Sequence, residues 1–162
     1  MKSLELDVPY WINANGHPTT FSLIENRGKW IIINCFQHWC EGCHVDGLPD
    51  LKKIAMAFID NANVEVICIQ TVFEGFETNT RDRLRENQLR YELPIIMGHD
   101  AGDPDGVVYP STMSKLETGG TPWMIVMDPK GKIIFSDYRI EVNNLIDFLN
   151  QETHHLMKKA TL

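Results

Sequence analysis

The chain has little that would place it in a membrane or among fibrous, repetitive or disordered proteins. No stretch approaches the roughly 20 consecutive apolar residues that a bilayer span requires. Internal repeats, low-complexity tracts and long Pro/Gly/Ser linkers are also missing. With 162 residues, 43% of them hydrophobic, the chain can still bury a full core. We therefore expect a soluble protein with one domain over residues 1–162.

Basic charge is scarce as well. The sequence has 15 Lys and Arg against 22 Asp and Glu, a net charge of −7. Nucleic acids and anionic membrane surfaces select for basic proteins, so neither is expected as a partner. The segment Met1–Asp7 lacks the apolar stretch of a secretory signal. The chain as given is therefore predicted to be cytoplasmic, or periplasmic or exported if a signal has been removed.

Only four cysteines are present, too few for a disulfide-stapled mini-protein. Two of them stand in the motif Trp39-Cys40-Glu41-Gly42-Cys43. This motif falls between a β-branched apolar run, which predicts a buried strand, and a stretch with helical apolar spacing. The cysteines therefore lie where a strand ends and a helix begins.

This position suits thiol chemistry. A thiol in the first turn of a helix faces free backbone N–H groups and the positive end of the helix dipole, which favour the thiolate. Two intervening residues place Cys43 one turn behind Cys40, within reach of a disulfide. Cys40 is therefore predicted to attack and Cys43 to resolve the mixed disulfide. Glu41 should raise the pKa of the nucleophile, an effect that protonated His38 or His44 would offset.

The hydrophobic periodicity predicts the order β, α, β, α, β, short α, β, β, α. Crossover units followed by a terminal hairpin favour an α/β fold with a mixed central sheet and helices on both faces. Leu84 and Leu89 are expected to face inward, and Gly47 and Pro49 to kink the first long helix. The predicted strands are 30–36, 64–70, 93–97, 123–127 and 132–135; the predicted helices are 41–60, 79–91, 111–116 and one through 142–149; a loop is expected over 99–110.

Three other interpretations of the cysteines stay open. Cys40 to His44 matches C-x-x-C-H, the pattern of covalent haem attachment with His44 as axial ligand. A structural zinc site would need two more ligands, for which only the distant His154 and His155 are available. The two cysteines could also be buried without chemistry. The remaining pair, Cys35 and Cys68, lies in predicted buried strands and is expected to belong to the core.

A second feature lies far along the chain, at Gly119-Gly120-Thr121-Pro122-Trp123. Proline cannot join a central ladder, so Pro122 at the first residue of a strand, after two glycines, indicates a constrained turn and suggests a cis peptide bond.

Together these features resemble the thioredoxin superfamily. The opening Val8-Pro9-Tyr10-Trp11 and the run 28–34 resemble its redoxin or TlpA-like group, which is related to the AhpC/TSA proteins. The resemblance implies a thioredoxin-like sheet with an N-terminal extension and an insertion after the second core strand. It also implies that Cys40 is an exposed nucleophile and Cys43 a buried resolving thiol, that Trp39 is an aromatic platform, and that Thr121-Pro122 pairs with an extended substrate peptide.

The function implied is a thiol-disulfide oxidoreductase that acts on protein thiols or disulfides, exchanges electrons with an upstream donor or acceptor, and needs no cofactor. Likeness to TlpA-type proteins makes Glu74 a candidate proton acceptor for Cys43, although an ordinary solvated carboxylate is an alternative. A thiol peroxidase is the second enzymatic interpretation. It is disfavoured because the peroxidase pattern Pro-x-x-x-Thr-x-x-Cys has Ile33 and Gln37 at its Pro and Thr positions.

Overall fold

The fold is built on one mixed sheet of seven strands. The computed structural model describes residues 3–160. The strand order is β2-β1-β5-β4-β3-β6-β7, with β3, β4 and β5 parallel and the other pairs antiparallel. The strands are β1 Tyr10–Ile12, β2 Pro18–Thr19, β3 Trp30–Phe36, β4 Val64–Val72, β5 Ile96–Ala101, β6 Trp123–Met127 and β7 Ile133–Asp137; the helices are α1 Leu48–Ala57, α2 Arg83–Arg90, α3 Ser111–Leu116 and α4 Val142–Ala160. The predicted α/β class and mixed sheet are confirmed.

Strand β3 is the centre of the molecule, with all seven residues buried. Its side chains alternate between two cores, as the pleat requires. Ile32 and Phe36 face a helix-side core that includes residues of α1 and α4. Ile31 and Ile33 face an opposite-side core that includes Leu116 of α3. Because β3 is covered on both faces, its near-continuous apolar sequence is the pattern of a buried parallel strand.

The helix after the cysteine motif is longer than α1 alone. Helical backbone begins at Glu41, passes through a π-helical segment at Cys43–Gly47 and continues as α1. Pro49 lies at the second residue of α1, directly after the π segment, and has no N–H to donate to the preceding turn. The irregularity expected around Gly47 and Pro49 is thus a π segment just before the proline.

Two predictions for the middle of the chain are wrong. Helix α2 is shorter than predicted, and Leu89 is 59% exposed while Leu84 is buried. Asn87 and Gln88 are buried instead, and their amides donate hydrogen bonds to His38 Nδ1 and to the carbonyl oxygen of Ile95. Strand β5 also begins three residues later than predicted and includes residues assigned to the loop. Gly98, His99 and Asp100 are poor strand formers, but pairing with β4 imposes the strand on them.

The terminal hairpin agrees better with the sequence. Strands β6 and β7 pair across the Asp128–Gly131 turn, as predicted. Helix α3 has the predicted bounds, and Val142, Leu145 and Leu149 of α4 are buried. Within the described part of the chain, no helix is long and apolar enough to cross a membrane.

Candidate functional site: a disulfide beside a cis-proline loop

The cysteine pair lies just past the carboxyl end of β3. Cys40 and Cys43 form a disulfide with their Cα atoms 5.3 Å apart. Cys40 is partly exposed, whereas Cys43 is fully buried. The backbone N–H of Cys43 lies 3.2 Å from the Cys40 sulfur and donates a hydrogen bond to it. Of the two sulfurs, Cys40 is therefore the one open to an incoming partner.

Pro122 packs directly against the segment that carries the cysteines. The Thr121–Pro122 peptide bond is cis, as the sequence suggested. A Cβ atom added at Gly47 would lie 2.8 Å from the Cβ of Pro122, and one added at Gly42 would lie 3.2 Å from its Cδ. Two glycines thus allow the proline ring to approach the helix backbone on either side of Cys43.

Gln37 joins the segments around the disulfide. Its buried amide nitrogen donates to Thr121 Oγ1 at 3.3 Å, and its amide oxygen accepts from the backbone N–H of Phe73 at 3.2 Å and from Asn79 Nδ2 at 3.4 Å. A single side chain therefore ties the cysteine loop to the proline loop and to the segment after β4.

Trp39 forms one wall of the site. Its indole is 50% exposed and lies against Gly75, where an added Cβ would be 2.8 Å from the ring. The backbone N–H of Trp39 donates to Asn79 Oδ1 at 3.0 Å. Because Gly75 adopts a positive φ of 55°, glycine is favoured there for both its conformation and its lack of a side chain.

Both ring nitrogens of His44 are occupied. Nδ1 lies 2.5 Å from the Tyr91 hydroxyl, and Nε2 lies 2.5 Å from the carbonyl oxygen of His38. Since the carbonyl can only accept, Nε2 donates to it, and Nδ1 is occupied by the Tyr91 hydroxyl. This geometry disagrees with an axial haem ligand, which needs a free ring nitrogen.

Zinc gains no support either. Among the described side chains, no group of three or more His, Cys, Asp or Glu residues could hold a metal ion. His155, part of the zinc alternative, lies outside the residues whose side chains are described.

His38 packs beside His44, with ring centroids 5.5 Å apart. Its Nδ1 lies 3.0 Å from Asn87 Nδ2, which donates to it. Burial lowers the pKa of His38, Arg83 lowers it further, and Glu86 partly opposes both. His38 therefore favours its neutral form and contributes less positive charge beside Cys40 than a solvated histidine would.

Cys35 and Cys68 lie in the two cores, as predicted. Both are free and fully buried, and they belong to cores on opposite faces of the sheet. Burial raises the pKa of Cys35 to about 12 and raises that of Cys68 strongly. The Cys68 thiol donates to the Oδ1 of buried Asn34 at 3.4 Å. Neither thiol has the thiolate character that redox chemistry needs.

Glu74 lies two residues after β4, with an exposed side chain. Its backbone carbonyl accepts a hydrogen bond from Asn79 Nδ2, which ties its position to the loop beside Trp39. Its carboxylate makes no hydrogen bond or ion pair with another described residue. The role of Glu74 as proton acceptor stays a prediction.

Sequence reasoning did not identify Gln37, Asn79 or Gln70 as organisers of the site. Gln70 is buried at the end of β4 and accepts a hydrogen bond from the backbone N–H of His38 at 3.0 Å. A polar side chain inside an otherwise apolar strand is a usable signal, because a buried amide must find partners. Asn79 carried no comparable signal, because the sequence predicted it at the start of a helix, whereas it lies in the loop before α2.

The sheet, the disulfide at the start of a helix and the facing cis-proline define a thioredoxin-like oxidoreductase. The sequence model of the AhpC/TSA family matches residues 3–136. The chain therefore belongs to the AhpC/TSA family.

Two solved structures are similar over nearly their whole length. A thioredoxin-like superfamily protein has 31% sequence identity and a TM-score of 0.78, with 96% of each chain covered. A thiol-disulfide isomerase from Corynebacterium glutamicum has 32% identity and a TM-score of 0.77, covering 93% of this chain and 94% of that one.

A curated relative is much longer. NHL repeat-containing protein 2 of Bos taurus is 24% identical over 128 residues, which are 78% of this chain and 16% of the relative. The chain thus matches about a sixth of that protein's length.

Proposed function

We propose that the protein is a thiol-disulfide oxidoreductase in which Cys40 is the nucleophile and Cys43 the resolving thiol, with protein disulfides or dithiols as substrates. One observation carries this proposal: a Cys40–Cys43 disulfide with one partly exposed and one buried cysteine beside Pro122. The isomerase title of the Corynebacterium glutamicum structure supports the same chemistry.

In the reducing direction, the Cys40 thiolate attacks a substrate disulfide. One substrate sulfur joins Cys40 in a mixed disulfide, and the other leaves as a thiolate. The Cys43 thiolate then attacks the Cys40 sulfur, which forms the Cys40–Cys43 disulfide and releases the second substrate thiolate. The protein loses two electrons, the substrate gains them, and an upstream dithiol restores the starting state. Oxidation of a substrate dithiol is the reverse sequence.

Other residues have supporting roles. The backbone of Thr121 pairs with an extended substrate segment, while Pro122 and Trp39 contact that segment beside Cys40. Glu74 accepts the Cys43 proton, directly or through water, when the mixed disulfide is resolved.

A peroxidase function is less well supported because Gln37 stands where the family's peroxidases have threonine. Its amide is bound on both sides, to Thr121 and to Phe73 and Asn79. Because Gln37 is also fully buried, its amide is not exposed to a peroxide at Cys40.

Reduction of a neutral peptide disulfide, with dithiothreitol as electron source, tests the proposal. The Cys40→Ser variant should lose the protein-catalysed rate, and Cys43→Ser should accumulate the mixed disulfide, visible by mass spectrometry. Cys68→Ala is the control and should keep the rate if it folds. Unchanged reduction by Cys40→Ser, or faster oxidation of Cys40 by hydrogen peroxide than by the peptide, would contradict the proposal.

The role of Glu74 needs its own comparison. Glu74→Gln should slow resolution of the mixed disulfide by at least about 10-fold and shift its pH profile. Glu77→Gln, which removes an exposed carboxylate three residues away, should do neither on the neutral peptide. Equal behaviour of the two variants would leave Glu74 an ordinary surface residue.

A further inference from the structure

An apolar groove lies next to the disulfide site. It has a volume of about 440 Å³ and is lined by Phe73, Tyr109, Met113 and Ser114 and by Thr118 and Gly119 of the proline loop. The backbone N–H of Phe73 bonds to Gln37, and Gln37 bonds to Thr121. The groove therefore adjoins the loop that carries Thr121 and Pro122, to which buried Gln37 links it from beneath. Val107 and Val108, 81% and 55% exposed, precede Tyr109 and extend the apolar surface.

Exposed carboxylates occur on each loop that contributes to the groove or to the disulfide site. We call them the acidic rim: Glu41, Glu74, Glu77, Asp103, Asp105 and Glu117. Glu41 separates the two cysteines, and Glu77 lies between Gly75 and Asn79, which both contact Trp39. Asp103 and Asp105 follow β5. Because β5 runs parallel to β4 and β4 to β3, the carboxyl ends of β5 and β3 lie at the same end of the sheet. Glu117 directly precedes the groove residues Thr118 and Gly119.

The cations of this region are engaged elsewhere. Arg83 is paired with Glu86, and Arg139 with Asp46 and Asp50. Arg81 stacks on the Tyr10 ring, and Lys115 donates to the carbonyl of Glu5. Among the residues that the structure describes, no member of the acidic rim forms an ion pair. The rim therefore presents carboxylates that are not paired directly with a cation of the described protein.

We infer that this surface selects cationic protein substrates: segments in which an apolar side chain enters the groove while Lys or Arg residues next to the reacting cysteine meet the acidic rim. The inference rests on the proposed function, because the groove can bind a substrate of this protein only if the neighbouring cysteine pair reacts with that substrate. A second copy of this chain is a poor occupant, since two acidic rims and two net charges of −7 would repel each other.

Charge of this kind acts mainly on encounter. Opposite charge on a partner raises the association rate, and salt screens the effect once the Debye length falls to about 8–10 Å near 0.1–0.15 M ionic strength. Apolar contact in the groove is not screened in this way. The two contributions can therefore be separated by varying salt and peptide sequence independently.

The test compares three peptide disulfides of equal length that differ only at the residues flanking the cysteine: lysines, glutamines or glutamates. A fourth has lysines but replaces the apolar residue by glycine. We expect kcat/KM at low salt to be about 10-fold or more higher for the lysine peptide than for the glutamate peptide, and the gap to shrink at 0.5 M salt. The glycine peptide should lose rate at both salt concentrations.

The variant Glu77→Gln/Glu117→Gln tests whether the rim is responsible. It should lose much of the preference for lysine while reducing the glutamine peptide at the wild-type rate. Asp60→Asn/Asp147→Asn is the matched control, because it removes the same charge from exposed positions beyond α1 and on α4, away from the disulfide. It should keep the preference.

The possible results distinguish a failure of the inferred substrate class from a failure of the proposed function. The cationic substrate class would be overturned if the lysine, glutamine and glutamate peptides were reduced at equal rates. It would also be overturned if both double variants lost the preference for lysine equally. Neither result would contradict the proposed oxidoreductase function. No reduction of any peptide by the wild type would instead overturn the proposed function. A gain in self-association at high salt would favour a second copy as occupant.

Discussion

At the scale of single residues, buried amides position the loop that carries Cys40. Gln37 and Gln70 are fully buried, and Asn79 is 1% exposed. Gln70 and Asn79 accept hydrogen bonds from the backbone N–H groups of His38 and Trp39, and Gln37 ties the same loop to Thr121. Leaving such partners unsatisfied costs about 1–3 kcal/mol per group, so the loop has a strong preference for this arrangement. The apolar strands provide rigidity, and the amides set the direction of the loop.

Histidines that accept hydrogen bonds from amides should make the protein sensitive to acid. His99 Nδ1 accepts from Gln70 Nε2 at 3.1 Å. Burial lowers the pKa of His99, Arg81 lowers it further, and Asp100 partly opposes them. The unfolded chain, with a pKa near 6.5, then binds more protons than the folded protein as the pH falls below neutrality. The free energy of unfolding should therefore fall as the pH drops from about 7 through the folded pKa.

Urea unfolding at several pH values checks this expectation. The His99→Gln variant cannot titrate there but keeps an oxygen as acceptor. Between about pH 5 and 7, the free energy of unfolding of this variant should change less with pH than that of the wild type. At pH 8 the two proteins should depend equally on pH. Parallel curves for the two proteins would show that His99 does not carry the effect.

At the scale of elements, the contact between the cysteine helix and the proline loop decides the geometry of the site. The π segment carries Cys43 and ends at Gly47, where the helix backbone meets Pro122. A helix normally loses about 1 kcal/mol by having Gly rather than Ala in its interior. At Gly47, the close contact with Pro122 outweighs the low helix propensity of glycine.

Gly47→Ala should therefore destabilise the protein by about 1–3 kcal/mol, because its Cβ would overlap the Pro122 ring. Gly42→Ala should cost less, since its Cβ would be 3.2 Å from Pro122 rather than 2.8 Å. Urea unfolding of the oxidised proteins measures both. Stabilisation by Gly47→Ala would mean that the proline loop moves aside freely and does not fix the helix.

At the scale of the whole molecule, one sheet joins the two cores. Ile32 and Ile33 are neighbours in β3, both fully buried, and face the helix-side and the opposite-side core respectively. If residues 1–162 form a single domain, as the sequence predicts, neither core can unfold without the other.

Ile32→Val and Ile33→Val should each lower the free energy of unfolding by about 0.5–1.5 kcal/mol in one shared transition. Far-ultraviolet circular dichroism and tryptophan fluorescence should give the same urea midpoint for each variant. Separate midpoints, or a change confined to one probe, would show two independently folding parts.

The sequence alone determined the chemistry and most of the framework. The spacing of Cys40 and Cys43 after a buried strand and the Thr121-Pro122 pair were sufficient because both depend on local geometry. Strand β3, helix α3 and the terminal hairpin were predictable for the same reason.

Only the tertiary structure decided what depends on partners distant in sequence. It placed Asn87 and Gln88 inward instead of Leu89, imposed a strand on Gly98 to Asp100, and brought Gly42 and Gly47 against Pro122. It also formed a groove from residues of three separate segments beside the proline loop. Local sequence carries the signal of periodicity and turn chemistry, whereas hydrogen-bond satisfaction and close packing are settled only when the elements meet.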